Sequence, residues 1–242
     1  MMASLVALLW DVDGTLADTE QDGHRPAFND AFAAAGCGWH WSRQVYEGLL
    51  RVGGGRERLL TWMETRGDWP TEARQDPDGW VRRLHAHKTE LYRQRLVHTR
   101  LPLRPGVERL LKEAAAAGLR QAVVTTSSRA AVAALLASHG WMEPLFERWV
   151  CGEDVPAKKP DPAAYRAALA AMDLPAGHAM AIEDSPAGLQ AALGAGLTVL
   201  VTRCGREPGP LDGAAAVVEH LESGILGRPL GLDDLRRLHA RE

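Results

Sequence analysis

The stretch that most constrains the fold lies near the start of the chain: Leu5-Val-Ala-Leu-Leu-Trp-Asp11-Val-Asp13-Gly14-Thr15-Leu16. An uninterrupted apolar run of strand length is the pattern of a parallel strand covered on both faces; a half-exposed strand would alternate. The run is cut off by two carboxylates two positions apart, then by a glycine and a hydroxyl. Functional residues of parallel sheets gather beyond the carboxyl ends of their strands. Asp11 and Asp13 therefore stand where such a sheet does its chemistry. Turns and helix caps also favour Asp, so the pair alone leaves both readings open.

The rest of the chain decides between them. From residue 17 to 37, Ala27, Phe28, Ala31, Phe32 and Ala35 recur at helical spacing, and Gly36 and Gly38 end the pattern. No strand pattern follows before about residue 99, only helical stretches broken by Gly53-Gly54-Gly55, Gly67 and Pro70. Five of the eight tryptophans, Trp39, Trp41, Trp62, Trp69 and Trp80, fall in this section. A small helical unit leans on such large side chains for its core. After Pro105-Gly106 a helix to residue 117 is expected, closed by Gly118. Strands at 121–125, 149–151, 179–182, 198–201 and 215–218 then alternate with helices at 129–139, 163–172 and 187–195. Such alternation means βαβ units and a parallel sheet. The expected fold is α/β: a Rossmann-like, doubly wound parallel sheet core from residues 1–16 and 101–242, with an all-helical cap domain, 17–100, inserted after its first strand. A chain of 242 residues suits one core plus a smaller insertion.

Composition narrows the partners. A net charge of −3 gives no basic field, which argues against nucleic acid; an anionic substrate must be held by a few placed cations or a metal. Three widely spaced cysteines, Cys37, Cys151 and Cys204, suit free thiols in a reducing compartment, with Cys151 and Cys204 expected as small buried fillers. The first apolar run has no cationic region before it and ends in acids, unlike a signal peptide, and no stretch approaches the ~18 apolar residues of a membrane span. A cytoplasmic monomer without membrane contact is expected.

The ends of the expected strands carry a consistent chemistry. The first ends in Asp11 and Asp13; the second in Thr125, Thr126, Ser127 and Ser128. Lys158-Lys159-Pro160 follows the third, and Glu183-Asp184-Ser185 the fourth. Parallel strands bring all four sets to one edge. Clustered carboxylates raise one another's pKa unless a cation intervenes, and an all-oxygen donor set with room for water and phosphate suits Mg²⁺. Hydroxyls, amides and a lysine facing that ion are what a phosphoryl group requires. These four stretches resemble the motifs of the haloacid dehalogenase superfamily. The resemblance implies Asp11 as nucleophile through an aspartyl-phosphate, and Asp13 as general acid and then base. It further implies Thr125 on the transferring phosphoryl group and Lys159 offsetting charge. Glu183 and Asp184 would complete a Mg²⁺ site with Asp11 and the Asp13 carbonyl. A second acid at Asp13 separates phosphoryl transfer from dehalogenation, which has no leaving oxygen to protonate.

The insertion speaks to the substrate. Asp18-Thr19-Glu20, Gly23-His24-Arg25-Pro-Ala-Phe28-Asn29, Trp39-His-Trp41 and Gly53-Gly-Gly-Arg56-Glu-Arg58 are similar to the CbbY-type phosphatases. That family hydrolyses xylulose-1,5-bisphosphate, an inhibitory by-product of carbon fixation. The similarity implies a small phosphorylated sugar as substrate, with Glu20, His24, Arg25, Arg56, Lys88, Thr126 and Ser127 as its contacts. A guanidinium forks onto phosphate oxygens, which places Arg56 on a second phosphate. β-Phosphoglucomutase and phosphoglycolate phosphatase share the core motifs and stand as alternatives. His85 and His87, two apart on a helix, do not share a face and are poor metal partners.

Overall fold

The computed structural model describes residues 4–67, 69–204, 209–223 and 227–240. The chain enters through strand β1 (Ala7–Trp10), then takes a five-residue π-helical turn (Glu20–His24) into α1 (Arg25–Ala34), α2 (Arg43–Leu49), α3 (Gly55–Arg66), α4 (Thr71–Gln75) and α5 (Pro77–His98). It returns through α6 (Val107–Ala116), β2 (Arg120–Val124), α7 (Arg129–His139), β3 (Arg148–Val150), α8 (Ala163–Ala171), β4 (Ala179–Glu183), α9 (Pro186–Gly194), β5 (Thr198–Thr202), β6 (Ala216–Val218) and α10 (Leu232–His239).

All six strands are parallel, in the order β3-β2-β1-β4-β5-β6. The apolar run of β1 is explained by its place between β2 and β4, buried on both faces. Its side chains alternate between two cores, as strand geometry requires. Leu8 and Trp10 join Val123, Ile182 and the inner faces of α6, α7 and α10, while Ala7 and Leu9 join Ala122, Ala181 and those of α8 and α9. The winding reverses between β1 and β4. The crevice outside the carboxyl ends at such a reversal is where doubly wound sheets bind ligands. Trp10 lies opposite Ile182, and the Asp11 N–H continues the ladder to the Ile182 carbonyl at 3.0 Å. Asp11 is thereby set beside the end of β4.

Helices α1 to α5 enclose a third core around Phe28, Phe32, Trp41, Tyr46, Leu59, Met63 and Val81, with Trp39, Trp62, Trp69 and Trp80 packed against it. The aromatic section of the sequence is indeed a hydrophobic unit of its own. Tyr92 and Leu96, in the C-terminal half of α5, belong instead to the core around Leu8 and Trp10. Helix α5 thus spans both units and joins them by apolar burial. Side-chain caps place the helix starts: Ser42 accepts from Val45 N–H, Asp76 from Gly79, Ser128 from Ala131 and Ser185 from Gly188.

Several details differ from expectation, helix α10 among them, since no element was expected after β6. The regular helix expected over 17–37 begins as a π turn, and α1 ends at Ala34 with Ala35 exposed. Strand β2 ends at Val124, one residue early. Cys151 is buried, but Cys204 is only partly so; all three cysteines are free thiols.

Candidate active site

Asp11 is only 7 % exposed, and Glu183 at the end of β4 is fully buried. Lys159, on the loop after β3, joins them: its ammonium donates to Asp11 Oδ1 at 2.7 Å, Glu183 Oε1 at 2.6 Å and the Val124 carbonyl at 2.8 Å. The Tyr165 hydroxyl donates to Glu183 Oε1 at 2.6 Å and the Asp184 N–H to Oε2 at 3.2 Å. Helix α9 passes so close that a Cβ on Gly188 would lie 1.9 Å from Glu183 Oε2. Only glycine fits there. Ser185, not Asp184, caps α9, so the carboxylates before it serve the site.

Burial, and then Glu183 and Asp13, hold the Asp11 carboxyl above the ordinary carboxylate range, against the pull of Lys159. Lys159 is desolvated too, but the two carboxylates outweigh that and raise its pKa. Removing one member of a buried pair of this kind costs about 3–5 kcal/mol, because its partner is left as an unpaired buried charge. Carboxylate oxygens of Asp11, Glu183 and Asp184 lie within 4.8 Å of one another. One lysine cannot balance three carboxylates. A hard, oxygen-only donor set without imidazole or thiolate fits Mg²⁺ better than a softer metal.

The Asp13 side chain is turned elsewhere. Oδ1 accepts from the Thr19 hydroxyl and from His24 Nε2 at 3.1 Å, and Oδ2 from Ser127 Oγ at 2.5 Å. Burial opposes its ionisation, but the His24 imidazole and the two hydroxyls prevail and hold it well below the usual range. On the far edge of the His24 ring, Nδ1 accepts from the Lys88 ammonium at 2.9 Å. A carboxylate on one side and an ammonium on the other select the Nε2–H tautomer. Lys88, buried over the rings of Phe28 and Tyr92 at 4.6 and 5.5 Å, is pulled by desolvation down to about 8.

A cavity of about 580 Å³ opens between the sheet edge and the helical insertion, lined by Asp13, Glu20, His24, Arg56, Lys88, Thr126 and Ser127 among others. The π turn aims both Glu20 and His24 inward. Glu20 is held by the Tyr46 hydroxyl at 2.5 Å and by both terminal nitrogens of buried Arg58 at 3.4 Å. Arg56 is exposed in the cavity wall and has no ion-pair partner among the described residues. Across the cleft Lys158 bonds both Glu57 oxygens at 2.7 Å. At this exposure such a pair contributes at most ~1 kcal/mol.

Thr125 and Arg25 do not line the cavity, and neither do Asp11, Lys159 or Asp184. Thr125 still pairs with β3 through its N–H to the Val150 carbonyl, and its hydroxyl accepts the Ser127 N–H at 3.1 Å inside the loop. Thr126 and Ser127, next along the loop, line the cavity. Arg25 is absent from the cavity wall; its Nη1 donates to the Trp41 carbonyl at 3.3 Å. Thr19, Tyr46, Arg58 and Tyr165 were not singled out from sequence. Arg58 follows the Gly53 run by the same logic as Arg56, whereas Tyr165 has only its bulk among alanines as a signal.

A doubly wound sheet with a lysine-bridged carboxylate cluster beyond β1 and β4 defines a class of hydrolase. The family profile of the haloacid dehalogenase-like hydrolases matches residues 5–196, and the chain belongs to that family. It is a phosphatase similar to CbbY. Protein CbbY of Rhodobacter capsulatus is 43% identical over 201 residues, 82% of this chain and 85% of the relative. The crystal structure of CbbY from Rhodobacter sphaeroides in complex with phosphate matches with a TM-score of 0.84 at 37% identity, covering 96% of this chain and 99% of that one. A mutant of the latter in complex with xylulose-(1,5)bisphosphate matches at 0.80 and 36%, covering 93% and 100%.

Proposed function

We propose that the protein is a Mg²⁺-dependent phosphatase that removes one phosphate from xylulose-1,5-bisphosphate through an aspartyl-phosphate on Asp11. The observation that carries the reaction is the Asp11–Lys159–Glu183 cluster at the sheet reversal, with Asp13 held apart on its own set of donors. The observation that carries the substrate is the likeness to a protein solved with that bisphosphate, together with Arg56 in the cavity wall, without an ion-pair partner among the described residues.

Asp11 attacks phosphorus, and the bond to the sugar oxygen breaks. A carboxylate nucleophile divides a hard hydrolysis into two easier displacements. Asp11, Glu183, Asp184 and the Asp13 carbonyl would hold Mg²⁺, which supplies charge stabilisation to the phosphoryl oxygens when bound. Lys159 offsets charge on the attacking carboxylate, and Thr125, with Thr126 and Ser127 after it, takes the phosphoryl oxygens. Asp13 is ionised in the free site. The negative charge of an arriving phosphate raises its pKa, so it can take up a proton, give it to the leaving sugar oxygen and then draw one from the water that attacks phosphorus, breaking the bond to Asp11 and releasing inorganic phosphate. Glu20, oriented by Tyr46 and Arg58, accepts from sugar hydroxyls.

Acid quenching during turnover, followed by peptide mass spectrometry, tests this. A phosphoryl group is expected on the peptide bearing Asp11 and on none in Asp11→Asn, which should be folded and inactive. Turnover by Asp11→Asn, or label on another residue, would refute the nucleophile.

A further inference from the structure

A buried tyrosine ring needs no hydroxyl in order to pack. Tyr165 stands in the first turn of α8, fully buried in the core that holds Ala168, Leu169 and Leu189. Phenylalanine would fill that space as well, and a hydroxyl taken there costs free energy unless it finds a partner. Its partner is Glu183. The hydroxyl donates to Oε1 at 2.6 Å, a charge-assisted bond of the strong kind. The Lys159 ammonium lies over the same ring, 5.1 Å from its centroid. One side chain thus touches both members of the buried pair, while it is absent from the cavity wall.

An ammonium has three protons to donate, and those of Lys159 are all taken, by Asp11 Oδ1, Glu183 Oε1 and the Val124 carbonyl. A phosphoryl oxygen arriving at Asp11 finds no proton there until one of these bonds is released. The two carboxylates are not equivalent in this respect. Among the described residues, Lys159 is the only hydrogen-bond donor to the Asp11 carboxylate. Glu183 keeps the Tyr165 hydroxyl on the same oxygen and the Asp184 N–H on the other. Lys159 can therefore leave Glu183 without stranding a bare buried charge, which is the costly case.

We propose that Tyr165 is a positioning residue: its hydroxyl anchors the Glu183 carboxylate as a ligand for Mg²⁺ and holds it there while Lys159 turns to the phosphoryl oxygen. The proposal rests on the Mg²⁺ reading above and adds the residue that orients one of its ligands. Its test is calorimetric titration of the substrate-free protein with MgCl₂, beside kcat and KM for xylulose-1,5-bisphosphate at saturating Mg²⁺. Tyr165→Phe keeps the ring under Lys159 and removes only the hydroxyl. Its Kd for Mg²⁺ should rise about tenfold or more, the loss usual when the partner of a metal ligand is removed, and kcat at saturating Mg²⁺ should fall about tenfold as well. KM for the sugar, which Tyr165 does not reach, should stay at the wild-type value. A tyrosine that only packs would shift the denaturant midpoint and leave both the Kd and kcat alone. An unchanged Kd, or a kcat equal to that of the wild type, would overturn the role of Tyr165 alone. A wild type that binds no Mg²⁺ would overturn the metal reading, and this contact with it.

Discussion

At the scale of single residues, the site keeps apart groups that would otherwise share one charge state. Asp11 and Lys159 are mutually buried, whereas Asp13 is held ionised by three donors a few ångströms from its neighbour. Lys88 shows a consequence that titration can read. Desolvation brings its ammonium down to about 8, against the pull of Glu20 and Asp13. Because kcat/KM reports ionisations of the free enzyme, capture of an anionic substrate should weaken as pH rises through about 8 and the charge is lost. Lys88→Arg stays charged throughout, and its alkaline limb should move out of range. A limb left at the same pH in that variant would assign it to another group. None of this was visible in the sequence, where Lys88 is one cation on a helix rich in them. The motif acids were legible because their neighbours in sequence are also their neighbours at the sheet edge. Arg25 donates to the Trp41 carbonyl instead of lining the cavity, a contact with a residue 16 positions on that no local pattern announces.

At the scale of elements, the order of strands and helices in the sheet unit was legible up to β6, but α10 was not expected and the helices of the insertion were not told apart. Buried parallel strands leave continuous apolar runs, and their helices are punctuated by Gly, Pro and Ser. The π turn was not legible, since it differs from an α-turn by one residue and has no composition of its own. Close approaches between elements were equally hidden. Gly188 reads as an ordinary helix glycine, yet it lets α9 lie on the Glu183 carboxylate. Gly188→Ala should therefore destabilise the fold by about 1–3 kcal/mol, the usual cost of overpacking, even though alanine is the better helix former. Denaturant midpoints would show it. A stabilised Gly188→Ala protein would mean that α9 is free to shift.

At the scale of the molecule, the helical insertion is bound to the sheet unit by two unlike means. Apolar burial of Tyr92 and Leu96 anchors one end of α5, and the solvent-screened Glu57–Lys158 pair spans the cavity mouth. The first is strong and the second weak. No local pattern could reveal that pairing, whose partners are 101 residues apart. The proposed function is likewise a property of the whole, with the cluster at the sheet edge assigned the reaction and the insertion the choice of substrate. Phosphate release, measured with Mg²⁺ and with EDTA on xylulose-1,5-bisphosphate beside β-glucose-1-phosphate and phosphoglycolate, tests this most directly. One phosphate per bisphosphate, leaving xylulose-5-phosphate, with a strong preference for this substrate and no release in EDTA, is the predicted result. Conversion of β-glucose-1-phosphate to glucose-6-phosphate without free phosphate would contradict it.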